Sequence, residues 1–385
     1  MDGPVPRSGP DSGRLAPSHS VPRPAPRKPN SPRAGRIVGL DVARGLALIG
    51  MLFAHTVPET DAETVFDGRS SILFAVIAGV SIGLMTGGQR GVAPDIRGRA
   101  ARIVALRGVL LIVVGLVLTA FDTPIAIILD TYGFLFLTAI PLLSAPRWLL
   151  ATIAAAAALL GPLAVTGLSD VIDGATGQAA VVLDSAWLYF PERWLVGTYP
   201  APVWLAYIAV GLLIARSGIR RPGVQRTLMA VGGLAAIAGY IVAAVVGQPV
   251  LAHDDSTAEV IASGAAAVAV IGALVWLSES TPERVRRLSD RILWPISSAG
   301  SMPLTVYSAQ IVVIWLVIQN VPHEGVLGWQ NLPLFFALAV PTLLVTSLWR
   351  LRFEQGPLEW LVSRVTTQRP WQKNPPRAPE VTPTR

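Results

Sequence analysis

Apolar runs of about 17 to 23 residues recur along the middle of this chain, and that recurrence decides the fold class before any motif is considered. Soluble domains do not carry many such runs. Only 14% of the 385 residues are charged, and the mean hydropathy is +0.54. A segment crossing lipid must satisfy its own backbone hydrogen bonds, so the chain reads as an all-α, polytopic helical membrane protein. The runs predict ten transmembrane helices, at roughly 38–57, 70–88, 103–121, 131–145, 148–167, 201–216, 226–247, 258–278, 297–318 and 332–350. The fourth is about one turn short of the usual length. Phe121 to Ile128 is expected to be a partial helix leading into it.

Loop charge tests this count independently. With the N-terminus inside, the inner segments collect Arg90, Arg97, Arg99, Arg102, Arg107, Arg147, Arg216, Arg220, Arg221 and Arg226. They also collect Arg284, Arg286, Arg287, Arg291, Arg350 and Arg352, while the outer loops hold only Arg69 and Arg193. Most acids go the other way: Glu59, Asp61, Glu63 and Asp67, then Asp170, Asp173, Asp184 and Glu192, then Asp254, Asp255 and Glu259. Adding or losing one span would invert every charge after it, so both termini are expected in the cytoplasm. The same arginines, with the basic tail, account for the net charge of +7 without any nucleic acid. Cysteine is absent, which removes disulfides, a thiol nucleophile and cysteine metal sites. The composition, dominated by Ala, Gly, Pro and Arg with only Lys28 and Lys373 as lysines, points to a GC-rich bacterial genome and so to the bacterial plasma (inner) membrane.

Residues 1–35 are rich in Pro, Ser and Arg and read as a disordered cytoplasmic tail, not a signal peptide. Residues 367–385 read likewise, and 36–366 as one transmembrane domain. No internal repeat of the kind that marks many transporters is visible. Aromatic residues crowd the second half of the outer loop from Leu168 to Pro200 (Trp187, Tyr189, Phe190, Trp194, Tyr199), either as an interfacial belt or as a lid.

Within the first span, Arg44 and His55 are separated by ten residues. Eleven helical steps of about 100° return to within about 20° of the start, which puts both on one face about 16 Å apart. An arginine inside a membrane helix is costly and should face the protein interior, often for a functional reason. Asp41, three residues earlier, can pair with it. That pair either fixes helix packing or leaves Arg44 to hold an anionic group. His55 either caps the helix end or acts as a base, with outer-loop acids such as Asp67 to orient its imidazole. Arg69 and Ser70 stand at the mouth of the second span. The run Ala78-Gly79-Val80-Ser81-Ile82-Gly83 in that span suits close helix packing. His19 reads as idle, and His253 and His323 as solvated loop residues. No nucleophile elbow, phosphate loop or metal-spaced His/Glu cluster is present, so no metal site is expected.

The segment Gly39-Leu-Asp-Val-Ala-Arg-Gly-Leu-Ala-Leu-Ile-Gly-Met-Leu-Phe-Ala-His55 resembles the opening span of the transmembrane acyltransferase superfamily. Its arginine, ten residues, histidine arrangement is similar to the signature of the acyltransferase-3 branch. Ile128-Leu-Asp-Thr-Tyr-Gly133, Gly300-Ser-Met-Pro-Leu-Thr-Val-Tyr-Ser-Ala-Gln310 and Gly356-Pro-Leu-Glu-Trp-Leu361 resemble stretches of the YeiB-like bacterial branch. The superfamily also includes heparan-α-glucosaminide N-acetyltransferase, whose histidine follows the first span, whereas residues 56–69 here contain none. The resemblance implies an acyltransferase that moves an acyl group, acetyl for choice, from cytoplasmic acyl-CoA to an extracytoplasmic glycan or glycolipid. Acyl-CoA would be a co-substrate, and no cofactor would be tightly bound. On that reading His55 and Asp67 are catalytic, and Arg44, Asp41 and Arg69 hold the donor. Ser70, Tyr132, Tyr307 and Gln310 face the acceptor or the oxyanion, although the last three also read as helix–helix hydrogen-bonding residues. A transporter or exporter using Arg44 and His55 for binding and proton coupling is the alternative. Membrane lipid is the expected environment, and a homodimer stays open.

Overall fold

The computed structural model describes residues 3, 36–58, 64–177, 181–182, 189–247 and 250–367. The two predicted tails lie outside these residues apart from Gly3 and Thr367, and so do Glu59, Asp61, Glu63, Asp184 and Trp187. The chain from Ile37 onward forms one compact unit. Its described helices are α1 (Val38–Thr56), α2 (Arg69–Met85), α3 (Arg97–Thr119), α4 (Leu129–Thr138), α5 (Arg147–Asp173), α6 (Tyr189–Val196) and α7 (Ala201–Ser217). They continue as α8 (Pro222–Val246), α9 (Thr257–Glu279), α10 (Glu283–Ile292), α11 (Trp294–Ala299), α12 (Pro303–Asn320), α13 (Leu332–Arg352) and α14 (Pro357–Thr367).

Each of the ten predicted segments coincides with helix. Among the described residues seven stretches are long and apolar enough to cross a bilayer, and α6 with α7, bent by 60°, passes as a pair. The apolar helix α2 has 17 residues. Two segments depart from expectation. Helix α4 has ten residues, about 15 Å or half a hydrocarbon core, and is followed by a 3-10 turn at Pro141–Ser144. Phe121 to Ile128 before it is irregular, not a partial helix, because Pro124 interrupts it and Asp122 takes a left-handed φ of 50°. The predicted 297–318 span is broken into α11 and α12 at Gly300–Met302. There Pro303 has no N–H to continue the ladder, and Gly300 lies against the Asp41 carbonyl of α1.

Helix α1 is the hub. It is the most buried of the seven long apolar stretches, at 61% against 11–44% for the others. Three glycines let its neighbours approach to backbone distance: Gly39 meets Leu274 of α9, Gly45 meets Ile296 of α11, and Gly50 meets Ser70 of α2. The glycine face read in the second span does the same, with Gly79 against Ile208 and Gly83 against Ala215 of α7. At the periphery, Val231, Leu234, Ile237, Ile241 and Val245 of α8 turn outward at helical spacing, the surface a bilayer covers.

The loops sort to two ends. At one end Arg90, Arg97, Arg147 and Arg216 share a cavity, Arg220 pairs with Glu279 (3.1 Å) and Arg350 donates to Ser297 Oγ (2.7 Å). At the other end Arg69 donates to the Val250 carbonyl (2.9 Å), Trp204 to Asp255 (3.3 Å) and Gln330 to the His55 carbonyl (2.9 Å). These are the two groups of loops that charge alone separates. Short as it is, α4 with its 3-10 turn returns the chain to the arginine end. Because the chain lacks cysteine, single cysteines at Asp173 and Gly223 report the orientation cleanly. An impermeant thiol reagent on intact cells should label the first and spare the second. Equal labelling would reject the topology.

Candidate active site

Helix α1 runs unbroken, so Arg44 and His55 keep the common face that their spacing predicts, about 16 Å apart. Arg44 Nη1 donates to Asp41 Oδ1 (2.6 Å) and Nη2 to Ser81 Oγ of α2 (3.0 Å). The Asp41 side chain is buried, while Arg44 keeps 20% of its side chain exposed. The guanidinium therefore joins α1 to α2 in the half of the helix nearer the arginine-rich end.

His55 is half-buried at the opposite end. Asp67 does not orient it: Asp67 Oδ2 accepts from the Thr64 N–H and closes its own turn. Among the described residues no hydrogen bond joins His55 to Asp67. Ser70 meets α1 at Gly50, about a turn and a half from His55. Arg69 donates to the Tyr240 hydroxyl (3.0 Å) and to the carbonyls of Val250 (2.9 Å) and Asp67 (3.1 Å). It stands twelve residues along α2 from Ser81, about 18 Å, so Arg69 and Arg44 do not converge on one anion.

His253, read from the sequence as a solvated loop residue, is exposed, and its charge acts electrostatically on His55. The His253 ring meets Tyr199 edge-on, with centroids 5.3 Å apart. His253 and Asp255 take left-handed φ values of 59° and 50°. Glu259 holds that turn, accepting from the His253 N–H (2.9 Å) and the Asp255 N–H (3.0 Å). Burial, aided by the neighbouring Glu259, pushes the Asp255 carboxyl up to about 8, so at pH 7 it is largely neutral beside Trp204.

A second polar centre lies where irregular backbone enters the bundle. Asp130, fully buried, accepts from Arg193 Nε (2.7 Å) and Trp194 Nε1 (3.1 Å). Side chains satisfy the backbone leading to it. Arg193 Nη2 donates to Ile127 O (2.9 Å), the Tyr199 hydroxyl to Ala126 O (3.3 Å), and the Ile128 N–H to the Tyr307 hydroxyl (3.4 Å). Non-helical backbone at membrane depth is tolerated where protein groups satisfy it in this way. The Tyr132 hydroxyl is committed to the Ser71 carbonyl (3.0 Å). Gln310 is buried, and its Nε2 has no acceptor among the described residues. Beside this centre is a cavity of about 250 Å³ lined by Thr131, Tyr189, Glu192, Arg193 and Tyr199. Both outer arginines that broke the charge rule thus have structural partners, and an acid inside an apolar helix was the signal that Asp130 needed one. Among the described residues no three His, Asp or Glu side chains gather as a metal site would require.

An arginine within a buried helix and a histidine near its end, on one face of that helix and inside a bundle of apolar helices, define a multi-pass membrane protein with polar groups carried in its core. Residues 37–349 match the acyltransferase-3 family, described as an acyltransferase domain, and the chain belongs to that family of membrane acyltransferases. No curated protein matches the chain.

Proposed function

We propose that the chain transfers an acyl group, acetyl for choice, from acyl-CoA at its cytoplasmic, arginine-rich end to a hydroxyl of a glycan or glycolipid at the other end. The observation that most supports this is the α1 arrangement, with a cation at the donor end and an imidazole at the acceptor end of one face. Tyr199, whose ring meets His253 edge-on, lines the outer cavity, which is proposed as the acceptor's seat. The acceptor oxygen attacks the thioester carbonyl while the His55 imidazole takes its proton. The carbon–sulfur bond then breaks and the proton passes to the leaving thiolate. A route in which the imidazole first carries the acyl group uses the same residue. Of the two motif tyrosines, Tyr307 is the better oxyanion donor, because its hydroxyl accepts from Ile128 and keeps its own hydrogen, whereas that of Tyr132 is already given to Ser71. The YeiB-like segments support a bacterial inner-membrane setting.

The test is transfer from labelled acyl-CoA by purified protein in detergent with no gradient. An exporter would show no turnover and would need sealed vesicles. Arg44→Lys in that assay keeps a cation beside Asp41 but lacks the fork that reaches Asp41 and Ser81 together. The expected result is folded protein with turnover down about tenfold, the loss of roughly one charge-assisted hydrogen bond. Unchanged turnover would remove Arg44 from the donor site.

A further inference from the structure

At the arginine-rich end, a cavity of about 350 Å³ opens between the start of α3, the start of α5 and the end of α7. Arg90, Arg97 and Arg147 line it as exposed side chains, and Arg216 lines it from within, only 5% exposed. Among the described residues no acid lines it, and none of these four arginines pairs with a carboxylate. Asp95, the acid nearest in sequence, is exposed and outside the lining.

Arg216 is the unusual member. Its Nη1 donates to the carbonyls of Gly83 (2.9 Å) and Gly88 (2.6 Å), and its Nη2 to Thr86 Oγ1 (3.2 Å) and the Leu143 carbonyl (2.8 Å). Four neutral oxygens hold the group in place and leave its charge uncompensated, although buried charges are normally paired. The Nε–H has no acceptor among the described residues. Arg97 and Arg147 are the first residues of α3 and α5, helices of 23 and 27 residues, whose positive dipole ends add to the same potential. Membrane orientation requires arginines in these loops. It does not require them around one cavity, nor one of them buried without an acid.

We propose that this cavity binds a phosphate ester. Guanidinium forks match phosphate oxygens two at a time, and a dianionic or diphosphate group would supply the missing counter-charge of Arg216. Two sources carry that chemistry at this face: the diphosphate of a nucleotide carrier, and the headgroup of an anionic phospholipid. As the seat of a nucleotide carrier the site rests on the acyl-transfer reading and extends it to the donor's diphosphate, while binding itself needs neither His55 nor turnover, so a failed binding test and a failed transfer test are told apart.

The experiment measures binding to the purified full chain in detergent, with the His55→Ala chain as a non-reacting control. Coenzyme A is one probe, and phosphatidylglycerol in mixed micelles is the other, with phosphatidylcholine as the neutral comparison. Because Arg216 pins two loops, the informative variant is Arg90→Gln with Arg97→Gln and Arg147→Gln, all exposed and outside the hydrogen-bonded framework. One of the two anionic probes should bind the wild-type chain, more weakly as salt rises, and the triple variant should weaken it at least about tenfold. Coenzyme A alone binding identifies a carrier site, and phosphatidylglycerol alone a lipid site. The proposal is overturned if neither binds, or if the triple variant binds as the wild type does.

Discussion

Purified His55→Ala protein should insert and elute as folded protein, yet lose transfer from labelled acyl-CoA by at least about a hundredfold, the low end for a missing general base. The substitution is structurally mild. The contact His55 gives α1 at this end is through its carbonyl, which accepts from Gln330, and alanine keeps that bond. The side chain is half-buried near the helix terminus, so little packing is deleted. What disappears is the only imidazole that α1 carries into the bundle. His323 is exposed and bonds only the Val321 carbonyl two residues away, so His323→Ala should be silent. His253→Ala falls between: it removes the edge contact with Tyr199 and a neighbour of His55, and a loss of a few-fold is expected. Wild-type turnover by His55→Ala would reject the mechanism and return attention to export.

Those outcomes would test the part of the site that was legible in the sequence. Arg44 and His55 could be placed because both lie on one unbroken helix, where spacing alone sets direction. The two ends of the bundle were legible for a similar reason, since each arginine's side of the membrane is a local property. Partners far apart in sequence were not. Asp130 and Arg193 are separated by 63 residues, and nothing local says that they meet. Asp67 illustrates the opposite failure: proximity in sequence suggested His55, but a backbone N–H three residues earlier offered a nearer donor. Arg69 was grouped with Arg44 by charge, although the length of α2 keeps them apart.

The segments that carry the family resemblance divide in the same way. Glu359 of the Gly-Pro-x-Glu stretch caps the start of α12, accepting from the Leu304 (2.6 Å) and Thr305 (3.1 Å) N–H groups and from Thr305 Oγ1 (2.6 Å). Gly356 leaves room for that carboxylate, and Gly300 seats the broken helix on α1. These positions hold α12 where Tyr307 meets the irregular 126–128 backbone. A motif can thus identify a family while most of its residues serve the frame, and Tyr307 is where frame and candidate chemistry coincide.

Arg193→Ala should cost the most stability of any single change to this frame, on the order of 3–5 kcal/mol, the usual penalty for stranding one member of a buried pair. Asp130 has no exposed side-chain surface, while the Arg193 side chain is 26% exposed. Removing the arginine leaves the Asp130 carboxylate with Trp194 Nε1 as its one side-chain donor among the described residues. It also frees the Ile127 carbonyl inside the bundle. Removing the charge from the other side is milder, because Arg193 can turn toward solvent, so Asp130→Asn should lose clearly less. Combining Asp130→Asn with Arg193→Met takes away the stranded charge and should recover a large part of the Arg193→Ala loss. Thermal unfolding in detergent reads all three, with Arg193→Ala lowest, the double variant between it and wild type, and transfer activity falling wherever the outer cavity loses its wall. If the double variant is no more stable than Arg193→Ala, the contribution of Arg193 lies in packing over the cavity and not in neutralising Asp130.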